Sequence, residues 1–237
     1  MITSLDNKTV KNLTKLHQKK YREDRFLVLD DETLKEAHAH DQLIQLVYSD
    51  ELPFPFENTL QVSEEVMRKI SKKDDQKYLG VSRMIKENDD YGKRVILLDE
   101  LQDPLNIGRI MEAALLFGFD SVILSPGCAD IYNEKCLSNS RGAIYSLNLC
   151  HKDLLEEIKT LQQNGCKVYA TGLRNETRMF NEIEASDRMA FVLGNEGSGV
   201  REEIMDLCDE IVKIDMRNID SLNVAMAAAI IMYHFSI

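Results

Sequence analysis

Leu193-Gly194-Asn195-Glu196-Gly197-Ser198-Gly199-Val200 carries an apolar run, begun at Phe191, into a polar turn rich in glycine. A helical pattern follows from Arg201. The same change recurs where the apolar run 211–214 meets Asp215-Met216 and then Ser221-Leu222-Asn223-Val224-Ala225. Open α/β sheets bind ligands beyond the carboxyl ends of their strands. Glycine there lets backbone approach a ligand, and a following helix start offers unpaired N–H groups. Two such loops predict a loop-built pocket for a small molecule.

Outward from these loops the pattern is a regular alternation. Apolar runs at 95–98, 122–124, 168–170, 190–193 and 211–214 predict strands. Between and after them, 107–117, 153–163, 201–208 and 222–235 carry helical spacing. Continuous apolar strands separated by helices imply a mainly parallel sheet covered on both faces, an α/β fold. The segment after the first strand is Asp99-Glu100-Leu101-Gln102-Asp103-Pro104-Leu105-Asn106-Ile107-Gly108, with no G-x-G-x-x-G. A dinucleotide enzyme of the usual kind is therefore a poor fit.

Upstream the pattern is less regular and predicts a second, smaller α/β part. Val10, Leu13 and Leu16 recur at helical spacing over 7–18, with Asn7 able to cap the start. A short apolar run at 26–29, a helix at 33–40 and a strand at 43–48 follow. Pro53 and Pro55 break the chain before 59–62, and Ser63 opens a helix whose first turn holds Glu64 and Glu65. Residues 78–85 read as a strand. The polar stretch 86–93 is the expected linker, giving an N-terminal domain over 1–85 and a larger one over 94–237.

Composition narrows the function classes. No apolar stretch approaches the roughly 20 residues of a membrane span, and the first residues are polar and basic. The five cysteines are odd in number, widely spaced and never in C-x-x-C, which argues against a disulfide framework and for a reducing cytoplasm. His38 and His40 are the closest histidines and have no ligand-type spacing, so no metal is expected. The net charge of −11 disfavours non-specific nucleic-acid binding. Yet residues 1–25 hold seven basic and three acidic side chains. That first segment is either a local RNA-facing patch or a solvated helix face.

Three ordered motifs over the second part now carry a resemblance. Asp103-Pro104-x-Asn106-x-Gly108, leading to Phe117-Gly118, resembles motif 1 of the SpoU/TrmH RNA 2′-O-ribose methyltransferases of the SPOUT class. Leu193-Gly194-Asn195-Glu196-Gly197-x-Gly199 resembles motif 2, and Ile214-x-Met216 with Ser221-Leu222-Asn223 resembles motif 3. Ser140-x-Gly142-Ala143 matches a further signature of the family. The N-terminal part looks like the family's L30e-like RNA-binding domain. The resemblance implies a trefoil-knotted sheet, one of the few exceptions to unknotted chains. It also implies S-adenosylmethionine as donor, no metal, a homodimer, and rRNA or tRNA as substrate. Thr171, Gly172, Leu193, Gly194, Asn195, Gly197, Ile214, Met216 and Leu222 would hold the donor, with Gly194 and Gly197 leaving room for its adenine. Asn106, Glu196, Ser221 and Asn223 would serve the substrate ribose and catalytic loops, with Ser221 also placed as a helix cap.

Departures from the family pattern mark this chain. Glu112 stands where the family has the motif 1 arginine that activates the ribose 2′-OH. Arg109, three residues earlier, and Arg141 are the candidate replacements, and Glu112 is itself a candidate base. Arg109 and Glu112 as a simple surface pair is the plain structural alternative. Asp215 replaces a proline, and the interval from Met216 to Ser221 is one residue short. Leu29-Asp30 stands where the family has Glu-Gly. A family member that binds RNA and donor with impaired catalysis is the competing expectation.

Overall fold

A computed structural model of the chain describes residues 1–174, 177–216 and 222–236. In chain order the first part forms α1 (Lys8–Lys15), β1 (Arg25–Val28), α2 (Asp31–Ala39), β2 (Leu43–Tyr48), β3 (Thr59–Gln61), α3 (Glu64–Ser71) and β4 (Tyr78–Arg83). Next come β5 (Arg94–Asp99), α4 (Pro104–Leu116), β6 (Ser121–Leu124), α5 (Glu134–Ser140), β7 (Asn148–His151), α6 (Leu154–Gln163) and β8 (Lys167–Thr171). The chain ends with β9 (Arg178–Met179), β10 (Met189–Gly194), α7 (Glu202–Met205), β11 (Glu210–Lys213) and α8 (Val224–His234).

These elements group into two compact units. Met1–Ile85 is joined by Tyr132–Tyr145, while Lys86–Ile131 is joined by Ser146–Ile237. A single cut in the linker at 86–93 therefore does not describe the division: α5 and the turn after it leave the second stretch of sequence and pack with the first.

The first unit is a four-stranded sheet in the order β1-β4-β2-β3. Strand β4 runs antiparallel to β1 and β2, and β2 pairs in parallel with β3. Its helices start where side-chain oxygens take up orphan backbone N–H groups. Asn7 accepts from Thr9, Asp30 from Thr33 and Ser63 from Val66. Val10 and Leu13 of α1 pack with Val66, Met67 and Ile70 of α3 and with Leu79 and Val81 of β4.

The second unit is a seven-stranded sheet in the order β7-β6-β5-β10-β8-β11-β9, parallel at every pairing. Strands β5 and β10 are buried along their whole length, which explains their unbroken apolar runs. After β5 the chain builds β6 and β7 on one side, then crosses to β8 and leaves a gap. Strand β10 fills that gap, with Gly194 opposite Asp99 and Val192 opposite Ala170. The loops after β5, β8 and β10 thus emerge side by side, at the switch point where ligands bind.

Three elements were not legible in sequence. Helix α5 is a polar Glu-Lys-Cys-Leu-Ser-Asn-Ser run, β7 begins on Asn148, and β9 is only two residues long. Two expected helices are shorter than their spacing: 201–208 contracts to α7, and 222–235 begins at Val224. Among the described residues, no helix is long and apolar enough to cross a membrane, and no group of three or more His, Cys, Asp or Glu could hold a metal.

Candidate active site

Loop 194–200 folds back on itself and is tied to the loop after β5. Asn195 and Gly199 exchange both backbone hydrogen bonds, at 3.0 and 2.9 Å. The Asn195 Oδ1 accepts from Gly197 N at 2.9 Å and Ser198 N at 3.3 Å, while its Nδ2 donates to Glu100 O at 2.8 Å. A Cβ on Gly194 would stand 2.1 Å from Gly199 C and from Val200 N. The loop's own returning backbone thus requires a glycine at 194. Gly197 has only Asn195 Oδ1 at 3.5 Å, an ordinary contact.

An ion pair locks the base of this loop. Asp99, fully buried at the end of β5, accepts from Arg201 N at 2.9 Å, Nε at 2.9 Å and Nη2 at 2.8 Å. A buried carboxylate needs this many donors to offset its lost hydration.

Glu196 reaches across to the start of α4. Its carboxylate accepts from Gln102 N at 3.3 Å, Asp103 N at 3.2 Å and Asn106 Nδ2 at 3.0 Å. Burial pushes the Glu196 carboxyl up, but the Asn106 amide and these backbone N–H groups outweigh it and hold it below its usual range. Asn106, 3% exposed, then accepts from Asn223 Nδ2 at 3.1 Å through its own Oδ1. Asn223 in turn caps α8, its Oδ1 accepting from Ala225 N and Met226 N. The cap expected at Ser221 is thus Asn223, and Ser221 itself lies outside the described residues. One chain of polar contacts, Glu196 to Asn106 to Asn223, ties the three motif loops together.

These loops enclose a cavity of about 650 Å³. Thr171, Gly172, Leu193, Gly194, Asn195, Gly197, Ile214, Met216 and Leu222 all line it, as do Glu196 and Asn223. Thr171 Oγ1 donates to Val192 O at 2.9 Å and fixes the wall after β8. The sequence reading missed Leu173, Met205, Lys213, Ala227 and Ile231, which also line it. For α8 a signal existed: Asn223, Ala227 and Ile231 recur every four residues and so share one helical face. Lys213 and Leu173 adjoin residues already singled out, and nothing in their types marks them.

Asn106 contributes to the cavity wall indirectly, through its two side-chain partners, and Arg109 and Glu112 are not among the lining residues. Arg109 is exposed on α4 and has no hydrogen-bond or ion-pair partner among the described residues. Glu112 is half-buried and engaged by other groups. An Arg109–Glu112 surface pair is accordingly not what forms. Arg141 belongs to the first unit, where it ends α5 with φ +49° and its Nε and Nη2 lie 2.5 and 2.6 Å from Glu32.

Comparison with known proteins adds descent to geometry. The profile of the SpoU rRNA Methylase family matches residues 93–233. The chain is 32% identical over 243 residues, 98% of each protein, to the Bacillus subtilis 23S rRNA (guanosine(2553)-2'-O)-methyltransferase RlmP. Among solved structures, the crystal structure of an RNA 2'-O ribose methyltransferase superposes with TM-score 0.82 at 25% identity, over 98% of this chain and 96% of that one. The AdoMet-bound rRNA methyltransferase of Sinorhizobium meliloti shares the fold, with TM-score 0.85 at 23% identity over 98% and 95% of the two chains. The α/β class expected from the three motifs, smaller N-terminal sheet included, is the one these neighbours share. Likeness in both sequence and fold, running nearly end to end, reflects common descent rather than convergence on a loop shape: the chain belongs to the SpoU rRNA methylase family.

Proposed function

We infer that this chain is an RNA 2′-O-methyltransferase that moves a methyl group from S-adenosylmethionine to a ribose 2′-OH of rRNA. The observation that carries this reading is the convergence of three loops on one cavity. Its volume of about 650 Å³ suits a ligand of nucleoside size. Apolar side chains of Leu193, Ile214, Met216 and Leu222 offer flat walls for an adenine ring, and the neighbouring backbone groups offer donors and acceptors for its edge. S-adenosylmethionine supplies a methyl group made electrophilic by its sulfonium.

The protein's own task is to present the ribose hydroxyl and polarise its proton. Asn106, held by Glu196 and Asn223, fixes the start of α4 relative to the cavity wall. Arg109, one helical turn further along α4, takes the role that Glu112 leaves vacant. A guanidinium is not a base, so it acts by polarising the 2′-OH, whose proton passes to the adjacent RNA phosphate or to solvent as the C–S bond of the donor breaks. Arg109→Ala should lower single-turnover methyl transfer by roughly 10²-fold with donor affinity kept. Full activity in Arg109→Ala together with an inactive Glu112→Ala would make the carboxylate the base instead. Arg141→Ala, whose guanidinium is engaged by Glu32, should keep its rate.

A homodimer completes the proposal. Leu115 and Leu116 of α4 and Met226, Ile230 and Tyr233 of α8 are exposed on two helices that pack together. A clustered apolar surface of this kind marks an interface.

The first experiment is calorimetric titration with S-adenosylmethionine, followed by tritiated-methyl transfer to bulk rRNA and tRNA. Donor binding with transfer into rRNA, recovered as an alkali-resistant dinucleotide, is the expected result. Donor binding without transfer to any RNA would identify a binding protein that retains the fold.

A further inference from the structure

A second cavity, of about 480 Å³, opens in the second unit and shares no lining residue with the donor cavity. Segment 89–91 lines one part of it, and Glu157, Thr160 and Asn164 come from α6. Lys152 and Arg188, the latter just ahead of β10, also belong to the lining. Local contacts fix these walls. Asn148 Nδ2 donates to Asn88 O at 3.2 Å and to Asp90 O at 3.0 Å, and Asn164 Nδ2 donates to Thr160 O at 2.9 Å. Lys152 Nζ lies 2.6 Å from Asp89 Oδ1 and neutralises it.

Two charges of opposite sign are left over. Glu157 is only 8% exposed, yet its Oε1 is buried with no hydrogen-bond partner. Arg188 is half-buried, and its Nε is likewise buried without a partner. Neither side chain forms an ion pair among the described residues. Burial pushes the Glu157 carboxyl up, against the Tyr91 hydroxyl and the Lys152 ammonium, as expected of a carboxylate short of donors. Unpartnered buried charge destabilises a fold, so two such groups at one cavity point to a counterpart from outside the chain.

We propose that this cavity binds a small zwitterion of amino-acid type, with its ammonium on the Glu157 carboxylate and its carboxylate on the Arg188 guanidinium. A ligand carrying both signs answers both groups, and charge-assisted hydrogen bonds are the strong ones. A simple cation would leave Arg188 unpaired, and a simple anion would leave Glu157 unpaired. A metal ion fits poorly, because among the described residues no three His, Cys, Asp or Glu could hold one. Leu161 adds an apolar contact for the ligand's side chain. None of these residues serves methyl transfer.

The test uses the full chain. Melting curves with each standard L-amino acid at millimolar concentration should show a raised melting temperature for at least one, since a ligand that binds only the folded state stabilises it. On the wild type, the matching amine without the carboxylate and the matching N-acetyl derivative should each bind about 10- to 100-fold more weakly by calorimetry, the worth of one hydrogen bond to a charged group. Glu157→Gln and Arg188→Met should each weaken the amino acid by the same factor. The amine should bind wild type and Arg188→Met equally, and the N-acetyl derivative should bind wild type and Glu157→Gln equally. Purely structural roles would not give this crossed pattern. Without ligand, Glu157→Gln should melt at or above the wild-type temperature, because it removes an unpaired buried charge. S-adenosylmethionine affinity should be unaltered in both variants, which shows that the fold is kept. No rise with any amino acid, full affinity in both variants, or an amine as tight as the amino acid would each overturn the proposal. So would a crystal structure grown with that amino acid in which only ordered water stands between Glu157 and Arg188.

Discussion

Glu196 shows how a single carboxylate can hold two loops of a site together. Its charge is stabilised by the Asn106 amide and two backbone N–H groups, so its pKa in the folded protein lies below the unfolded value. The stability it contributes is therefore present above the ordinary glutamate range, near pH 4.3, and is lost as pH falls through the lower folded value. Urea denaturation of wild type and Glu196→Gln should show a gap at neutral pH that closes below about pH 4. A gap that widens on acidification would reverse the assignment. Asp99 and Arg201 present a larger effect. Removing Arg201 leaves a fully buried carboxylate without its counter-ion, so Arg201→Ala should lose about 2–3 kcal/mol by the same denaturation measurement. That is less than for a wholly buried pair, because about a third of the Arg201 side chain is exposed and screened. The two glycines of the motif 2 loop should separate cleanly. Gly194→Ala forces apart backbone atoms 2.1 Å from the new methyl and should abolish donor binding by calorimetry, while Gly197→Ala should bind near the wild-type level.

At the scale of elements, α8 is the part whose start matters most. Asn223 does two things at once: its Oδ1 caps the helix, and its Nδ2 holds Asn106. Asn223→Asp keeps a cap acceptor but removes the donor to Asn106. Asn223→Ala removes both, and should lose about 1 kcal/mol of stability. The expected pattern is a stable but slow Asn223→Asp enzyme, with turnover lost at kept donor affinity, and an Asn223→Ala enzyme that is both slow and less stable. Equal turnover in Asn223→Asp and wild type would show that the Asn106 contact is structural decoration. Helix α4 follows the same logic from the other side. Asp103 caps it by accepting from Leu105 N, Pro104 opens it where no N–H is needed, and Glu196 takes up further N–H groups. The starts of both helices are fixed by these contacts, while exposed apolar residues stand in the last turn of α4, at Leu115 and Leu116, and along α8, at Met226, Ile230 and Tyr233.

For the whole molecule, those apolar residues set the assembly prediction. Leu116 is 71% and Tyr233 70% exposed, each on one of two mutually packed helices. Sedimentation should show a homodimer, and Leu116→Lys with Tyr233→Lys should give a monomer, because charge cannot be buried unpaired in an apolar interface. A wild-type monomer that methylates RNA would sink the dimer. Much of this architecture was legible beforehand. The apolar runs at 95–98, 168–170 and 190–193 fall inside β5, β8 and β10, since a strand covered on both faces admits few polar residues. The cap expected at Asn7 also has a local cause, because its oxygen reaches the N–H of Thr9, two residues on. The residues around the pocket were legible for the same reason: glycine-rich turns between a strand and a helix carry their meaning in a few adjacent positions. What sequence alone left open is everything that depends on distant partners. Strand β10 lies between β5 and β8 although it follows both in sequence, and α5 packs with the first 85 residues although it lies far beyond them. The glycine at position 194 is required by the close return of Gly199 and Val200, and Arg141 is engaged by Glu32, 109 residues away. Periodicity and capping act within a few residues and are written locally, whereas strand order, close backbone approach and the pairing of charges are settled only when the folded chain brings remote residues into contact.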